Sequence, residues 1–352
     1  LAFSCAMRSI HLILKGQSYR NLTCKYPPLH TQKHISVFSR ILLSIFFTLY
    51  GISPFCQNLQ VDTGRILSKE QFNKNRIKWV AAANIGGYGG AMIGLYTAWY
   101  RNYPQGKFHT FNDWKEWKQV DKAGHLYGAY IESVASMELW KWAGMERKKR
   151  IWVGGLSGAA YQTVIEILDG FSNEWGWSWG DFAANMAGSG ILIGQELGWN
   201  EQRIRIKFSY HPQPYNDPIL LARSNQLFGK NQANRFLKDY NGQTYWASIG
   251  IAPFLKNSKW PKWLNIAIGY GADGLLGGRE NFSSSVNGSL PFDRRDIPRY
   301  RQWYLAPDID WKKIPTNRAG IRLLFTFLNA FKFPAPAIEL SNNKVRFHPL
   351  YF

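Results

Sequence analysis

Beyond Cys56 the chain has no cysteine at all: its three thiols are Cys5, Cys24 and Cys56. No disulfide, thiolate nucleophile or cysteine-ligated metal can therefore operate in the rest of the chain. Charge is also scarce, at 19% of 352 residues, and acid scarcer still, with 23 Asp and Glu against 43 Lys and Arg. With 45% hydrophobic and 16% aromatic residues, this balance excludes a disordered or coiled-coil chain. The length provides a full core, so neither metal nor disulfide is required for stability. The formal net charge of +20 suits an anionic partner: phospholipid headgroups, lipopolysaccharide or nucleic acid. Also missing are His-Glu-x-x-His, Gly-x-Ser-x-Gly, P-loop and lipid-phosphatase motifs.

Lys33, His34 and Arg40 precede the apolar run Ile41 to Tyr50, which leads into Gly51-Ile-Ser-Pro-Phe-Cys56-Gln57. The charge, length and small-residue ending are those of an export signal. Residues 1–56 are thus read as a leader, with the signal at about 31–56. Cleavage after Cys56 and a lipid-modified Cys56 are the two readings; Phe55 is bulky for a lipoprotein processing site.

Residues 57–200 read as a glycine-packed, membrane-type four-helix module. The uncharged stretch Trp79 to Tyr100 meets the length of roughly 20 residues needed to cross a bilayer. Further helices are expected at about 115–143, 148–170 and 178–199, as membrane spans or as buried bundle helices. Glycines recur every four residues: Gly86, Gly90 and Gly94, then Gly124 and Gly128, then Gly154 and Gly158, then Gly190, Gly194 and Gly198. Such rows let helix backbones approach closely, in lipid or in a tight soluble bundle. Trp140, Trp142, Trp152, Trp175, Trp177, Trp179 and Trp199 fall at expected helix ends, as in an interfacial belt.

Polar residues follow the same helices in order. Asp121, His125, Gly128 and Glu132 stand at i, i+4, i+7 and i+11, on one face, with Lys122 beside Asp121. Gln162, Glu166 and Asp169 share a face of the next helix. Ser178-Trp-Gly-Asp181 reads as a capped start, with Asp181 in the positive first turn, and Asn185, Gly188 and Gln195 continue its stripe. Ionisable groups in an apolar bundle are costly unless paired, so these stripes are expected to converge on one polar centre.

The strings Asp121-Lys122-Ala-Gly-His125, Glu166-Ile-Leu-Asp169-Gly170-Phe-Ser and Trp179-Gly180-Asp181-Phe-Ala-Ala-Asn185-Met-Ala-Gly188 resemble the signature of the YfiM-like envelope lipoproteins. More distantly they are similar to the VanZ family of small membrane proteins, which has Asp-Lys-x-x-His, then a Glu, then Asp-x-x-Ala-Asn-x-x-Gly. The likeness covers about residues 115–195. It implies a helical membrane or periplasmic module of diderm bacteria; VanZ-like members are linked to glycopeptide susceptibility without an agreed chemistry.

After Asn200 the period changes. Arg203 to Tyr210 alternates strictly, as a strand with one wet face, and similar runs occur at 244–252, 264–272, 299–305 and 344–347. Residues 201–352 are read as an antiparallel strand-rich region interrupted by a helix at 318–331, giving an α+β chain. The terminal Tyr351-Phe352 is reminiscent of outer-membrane barrels, but five or six strands are too few for closure. A sheet packed on the bundle, or a partial barrel, is expected.

Two functions remain open. The first is a non-enzymatic envelope component, exported and membrane-associated at the outer-membrane or periplasmic face, binding lipid or a protein partner. The second is a hydrolase acting on lipid or envelope glycan phosphate through Asp121, His125, Glu166, Asp169 and Asp181, with Lys122 and Asn185 in the same centre. These residues offer a carboxylate-oriented base or ligands for a divalent cation, although one central His is sparse for zinc. His109, His211 and His348 have no partners at ligand spacing and are assigned surface or capping roles. Nucleic acid is disfavoured because the only basic run, Arg147-Lys-Lys-Arg150, lies between apolar helices, where it suits a membrane surface.

Overall fold

A computed structural model describes residues 73–98, 104–255, 259–284 and 291–351. The leader with its three cysteines, Trp99, Tyr100 and Phe352 lie outside these residues. The described chain is mixed α+β. Four helices come first: α1 (Lys74–Ala98), α2 (Val120–Trp142), α3 (Arg147–Gly170) and α4 (Trp179–Gly198). Six long strands follow, β1 (Ile204–Tyr210), β2 (Gln243–Gly250), β3 (Leu264–Asp273), β6 (Tyr300–Ile309), β7 (Ala335–Ser341) and β8 (Lys344–Tyr351). They form one antiparallel sheet in the order β1-β2-β3-β6-β7-β8. The two-residue strands β4 (Phe282–Ser283) and β5 (Phe292–Asp293) pair separately. Helices α5 (Pro218–Phe228) and α6 (Gln232–Lys238) start at side-chain caps, Asp217 and Asn231, and α7 (Ala319–Leu328) precedes β7.

Close approach within α2, α3 and α4 depends on glycine at particular positions. A methyl at Gly154 would meet the Met137 backbone at 2.5 Å, one at Gly158 would collide with the Ala129 carbonyl, and one at Gly188 with the Leu126 carbonyl. At the same crossing Ser133 Oγ donates to the Gly155 carbonyl at 2.7 Å and lies 2.9 Å from Ser189 Oγ. Tyr130, Val134, Met137, Ile151, Leu192 and Ile193 fill the core beside it. The expected rows are therefore corrected in part: Gly86, Gly90, Gly190, Gly194 and Gly198 face open space, and Gly188, placed on the polar stripe, makes the tight α2–α4 contact.

The membrane-crossing expectation for 79–100 is also corrected. Helix α1 forms there, but no helix among the described residues is long and apolar enough to cross a membrane. Its stretch is uncharged rather than strongly apolar: Gly has no side chain, Ala adds one methyl, and Asn and Thr are polar. Nor is the tryptophan set uniformly interfacial, since Trp140 packs in a core with Val80 and Ala143, and Trp177 is buried against Phe108, Trp179 and Phe182. The basic run is partly bound up in the module, with Arg147 on Glu196 (3.2 Å) and Lys149 near Glu146 (3.5 Å).

The sheet departs most from expectation. Its alternation is real, but the polar side is the buried one. Arg205, Lys207 and Ser209 of β1, Thr244 and Ser248 of β2, Asn265 of β3, Gln302 and Asp308 of β6, and Glu339 and Ser341 of β7 point inward and are buried. Lys207 pairs with Asp308 at 2.8 Å with both side chains fully enclosed, and Arg205 pairs with Asp310 at 2.9 Å. The sheet curls over this face. Phe208 of β1 accepts from and donates to the segment before β7, and Thr244 of β2 meets Tyr351 of β8 at 3.0 Å. His348, expected to stand alone, sits 2.6 Å from the buried Glu339 carboxylate.

On the other side the ladder is hydrocarbon. Ile268 is opposite Leu305, Leu305 opposite Ile338, and Ile338 opposite Phe347; Trp303, Leu340 and Val345 form the adjacent row. All of these are exposed, reaching 72% at Val345 and 67% at Phe347. The β1–β2 end is covered, where Tyr127 of α2 packs on Phe208 and Tyr245, and Tyr270 of β3 packs beside Val120 at the start of α2.

Candidate functional site

The start of α2 is set by an unusual turn. Trp117, Lys118 and Gln119 are three consecutive non-glycine residues at positive φ, a conformation costing of order 1 kcal/mol or more each. Tertiary bonds hold it: Trp117 N–H donates to the Gly278 carbonyl at 2.8 Å, Tyr270 Oη donates to the Lys118 carbonyl, and Gln119 Nε2 donates to the Trp114 carbonyl at 2.6 Å. The Trp117 ring packs on Phe228 and Tyr240. This turn aims Asp121 and Lys122 inward.

A second device delivers Asp113. Residues 105–111 run along the α3–α4 connection through bonds from Gly106 N–H to the Phe171 carbonyl, His109 N–H to the Gly170 carbonyl and Phe111 N–H to the Trp177 carbonyl. Ser178 caps α4 as expected, accepting from Asp181 N–H at 3.1 Å, and its hydroxyl donates to Asp113 Oδ1 at 2.6 Å.

Lys122 stands at the centre. Its Nζ lies 2.6 Å from Asp113 Oδ2, 2.8 Å from Asp181 Oδ1 and 3.1 Å from Asp121 Oδ2, with its side chain only 9% exposed. Next to it is the His125 ring. Nδ1 lies 3.2 Å from Asn185 Oδ1 and 3.4 Å from Glu166 Oε1, while Nε2 faces Asp181 Oδ1 at 3.7 Å and Asp121 Oδ1 at 3.9 Å. Tyr240, from the strand-rich half, donates to Asp121 Oδ1 at 2.7 Å. The stripes thus converge: Asp121, Lys122, His125, Glu166, Asp181 and Asn185 share one centre. Asp169 is half-buried one turn beyond Glu166 and adds its negative charge to that carboxyl's surroundings. Glu132 and Gln162 form a separate pair, with Gln162 Nε2 donating to Glu132 Oε1 at 2.9 Å.

Four carboxyl groups around one lysine and one imidazole cannot all carry full charge out of water. They divide. Burial opposes the charge on Asp121, but His125 and Lys122 beside it hold its carboxyl below the usual range. Asp113 is likewise lowered against burial by bonds to Asp181, Lys122 and Ser178. Burial, the Asp121 charge and the bond to Asp113 push Asp181 up to about 9. Burial dominates at Glu166, which rises to about 8 and is 1% exposed. Lys122 is raised by Asp121 and Asp181 despite its burial. Even so, Glu166 Oε1 and Asn185 Nδ2 are buried without a hydrogen-bond partner, and Asp181 Oδ1 has the Lys122 ammonium at 2.8 Å.

The family model that matches this region is described as "Predicted periplasmic lipoprotein (DUF2279)". It covers residues 110–193. That span runs from the strap that carries Asp113 into α4, so α2, α3 and most of α4 are similar to a family of predicted periplasmic lipoproteins. No curated protein and no solved structure matches the chain.

Sequence reasoning missed Asp113 and Tyr240. Asp113 lies on an irregular strap with no periodicity to mark it, and Tyr240 is far along the chain, in a loop whose position depends on tertiary packing. The left-handed turn at 117–119 gave no signal either, because none of its residues is Gly, Asn or Asp.

Proposed function

We propose that the chain is a non-enzymatic envelope component that rests on anionic lipid through the outward face of β3, β6, β7 and β8, with the helical module fixed behind it. One observation carries this reading: on β3, β6 and β7 the enclosed side holds Asn265, Gln302, Asp308, Glu339 and Ser341 among Ala267, Tyr304, Ala306 and Ala337, while the larger aliphatic residues Ile268, Leu305, Ile338 and Leu340 are bare. Sheets in water bury the apolar face, whereas apolar-out and polar-in is the pattern of strands whose outer solvent is lipid. Charge agrees, since Arg301 is exposed on the same side of β6 as Trp303 and Leu305, and the whole chain carries +20. Helix α7 repeats the theme, with exposed Leu323, Leu324 and Phe327 beside Arg322. The motif resemblance to YfiM-like lipoproteins, and more distantly to VanZ-like proteins, supports the same compartment, at the outer-membrane or periplasmic face.

The test is vesicle flotation with the purified chain. Phosphatidylglycerol-containing vesicles should carry it up the gradient, with part of the tryptophan fluorescence quenched by brominated acyl chains and that part lost in Trp303→Phe. The double variant Leu305→Asp/Ile338→Asp should weaken association at least 10-fold, because each buried Leu or Ile contributes about 1.5–3 kcal/mol. Unchanged flotation of that variant, or a stable dimer that covers the face without lipid, refutes the reading.

A second reading is a hydrolase for lipid or envelope glycan phosphate, with His125 as base. The observation in its favour is the imidazole held between carboxylates, a geometry suited to general base chemistry. It requires phosphate release that His125→Gln abolishes while the melting temperature is kept.

A further inference from the structure

We propose that Asp121 Oδ1, His125 Nε2 and Asp181 Oδ1 form a binding site for one divalent first-row transition cation, zinc being the reference ion. The three atoms lie within 4.8 Å of one another. Ligands bound at about 2.0–2.2 Å in a tetrahedral site stand roughly 3.3–3.5 Å apart. The imidazole nitrogen is 3.7 Å from one carboxylate oxygen and 3.9 Å from the other, so shifts of a few tenths of an ångström complete the set. The elements are firm: Asp121 and His125 are one turn apart on α2, and Asp181 sits in the first turn of α4 beneath the Ser178 cap.

The imidazole is oriented for this task. On its far side Nδ1 faces the acceptor Asn185 Oδ1 at 3.2 Å, which places the ring proton on Nδ1 and points the lone pair of Nε2 at Asp121 and Asp181. That lone pair and the two carboxylate oxygens together offer one cation three ligands. Metal-bound histidines commonly donate their other ring N–H to a carboxylate, and Glu166 is placed for it. Its Oε1 is buried and has no polar partner closer than that ring nitrogen, at 3.4 Å. Tyr240 supports Asp121 from outside as a second donor, at 2.7 Å. Lys122 Nζ lies 2.6 Å from Asp113, outside the triad, and 2.8 Å from Asp181 Oδ1, so an incoming cation replaces the ammonium at Asp181 while Asp113 retains it.

The full chain, purified and stripped with EDTA, is titrated with Co2+ and followed by visible d–d absorption, then challenged with Zn2+. One Co2+ per chain, displaced by Zn2+, is expected, with one zinc per chain by elemental analysis of protein purified without chelator. His125→Gln and Asp181→Asn should each weaken Co2+ binding at least 100-fold with unchanged far-UV circular dichroism. Glu166→Gln, which leaves all three ligands in place, should weaken it about 10- to 100-fold; this variant serves if either of the others fails to fold. No stoichiometric uptake, or uptake unaffected by any of the three, overturns the site. Vesicle flotation uses a different face, so loss of metal binding leaves that reading untouched.

Discussion

Replacing Lys122 by Met tests whether the polar centre is a charge lock. Lys122 contacts three carboxylates within 3.1 Å. Met keeps the length of the side chain and removes the charge, leaving Asp113 and Asp121 ionised in a buried site. Removing one partner of a buried pair costs about 3–5 kcal/mol. For a chain of this size that corresponds to a fall in melting temperature of the order of 10 °C. The loss should depend on pH. Without Lys122 the carboxyl groups rise above their depressed values, so they take up protons as pH falls and the deficit shrinks; it should be larger at pH 8 than at pH 5. Asp181→Asn is the internal comparison. Because the Asp181 carboxyl is raised to about 9, it is already neutral at pH 7, and the amide can still donate to Asp113. Its cost in EDTA-treated protein should stay near 1 kcal/mol. Urea unfolding followed by tryptophan fluorescence measures both. If Lys122→Met unfolds within 1 kcal/mol of wild type, or Asp181→Asn costs as much as Lys122→Met, the division of charge described above is wrong.

Glu132 provides an alkaline test. Burial raises it to about 8, so its neutral form stabilises the fold fully below the unfolded value near 4.5, and that contribution is lost as pH rises through about 8. Glu132→Gln should therefore flatten the decline in stability between pH 5 and 9, read from denaturation midpoints. Gly158→Ala should cost about 2 kcal/mol or more in a melting assay because its methyl meets the Ala129 carbonyl, while Gly194→Ala, with open space around it, should be neutral or stabilise by up to about 1 kcal/mol. Lys207→Met should destabilise by about 3–5 kcal/mol by stranding Asp308, and Lys207→Met/Asp308→Leu should recover much of it, as a double-mutant cycle in urea would show.

What the sequence determined by itself was periodicity. The i, i+4, i+7 spacing of Asp121, His125 and Gly128, the Glu166–Asp169 pair and the Ser178–Asp181 cap fix a polar stripe on each helix, because side-chain direction follows directly from helical repeat. The same argument gives the strands after Asn200 from their period of two. Periodicity cannot say which side of an element meets water. Glycine rows at 154 and 158 became contacts while those at 190 and 194 stayed open, and the sheet buried its charged side, because those outcomes depend on what the neighbouring element presents. Only the tertiary structure brought Asp113, Tyr240 and the strained turn at 117–119 to Lys122. The Tyr240–Asp121 and Tyr270–Lys118 contacts join positions more than a hundred residues apart, and their energy exists only once the intervening chain is folded.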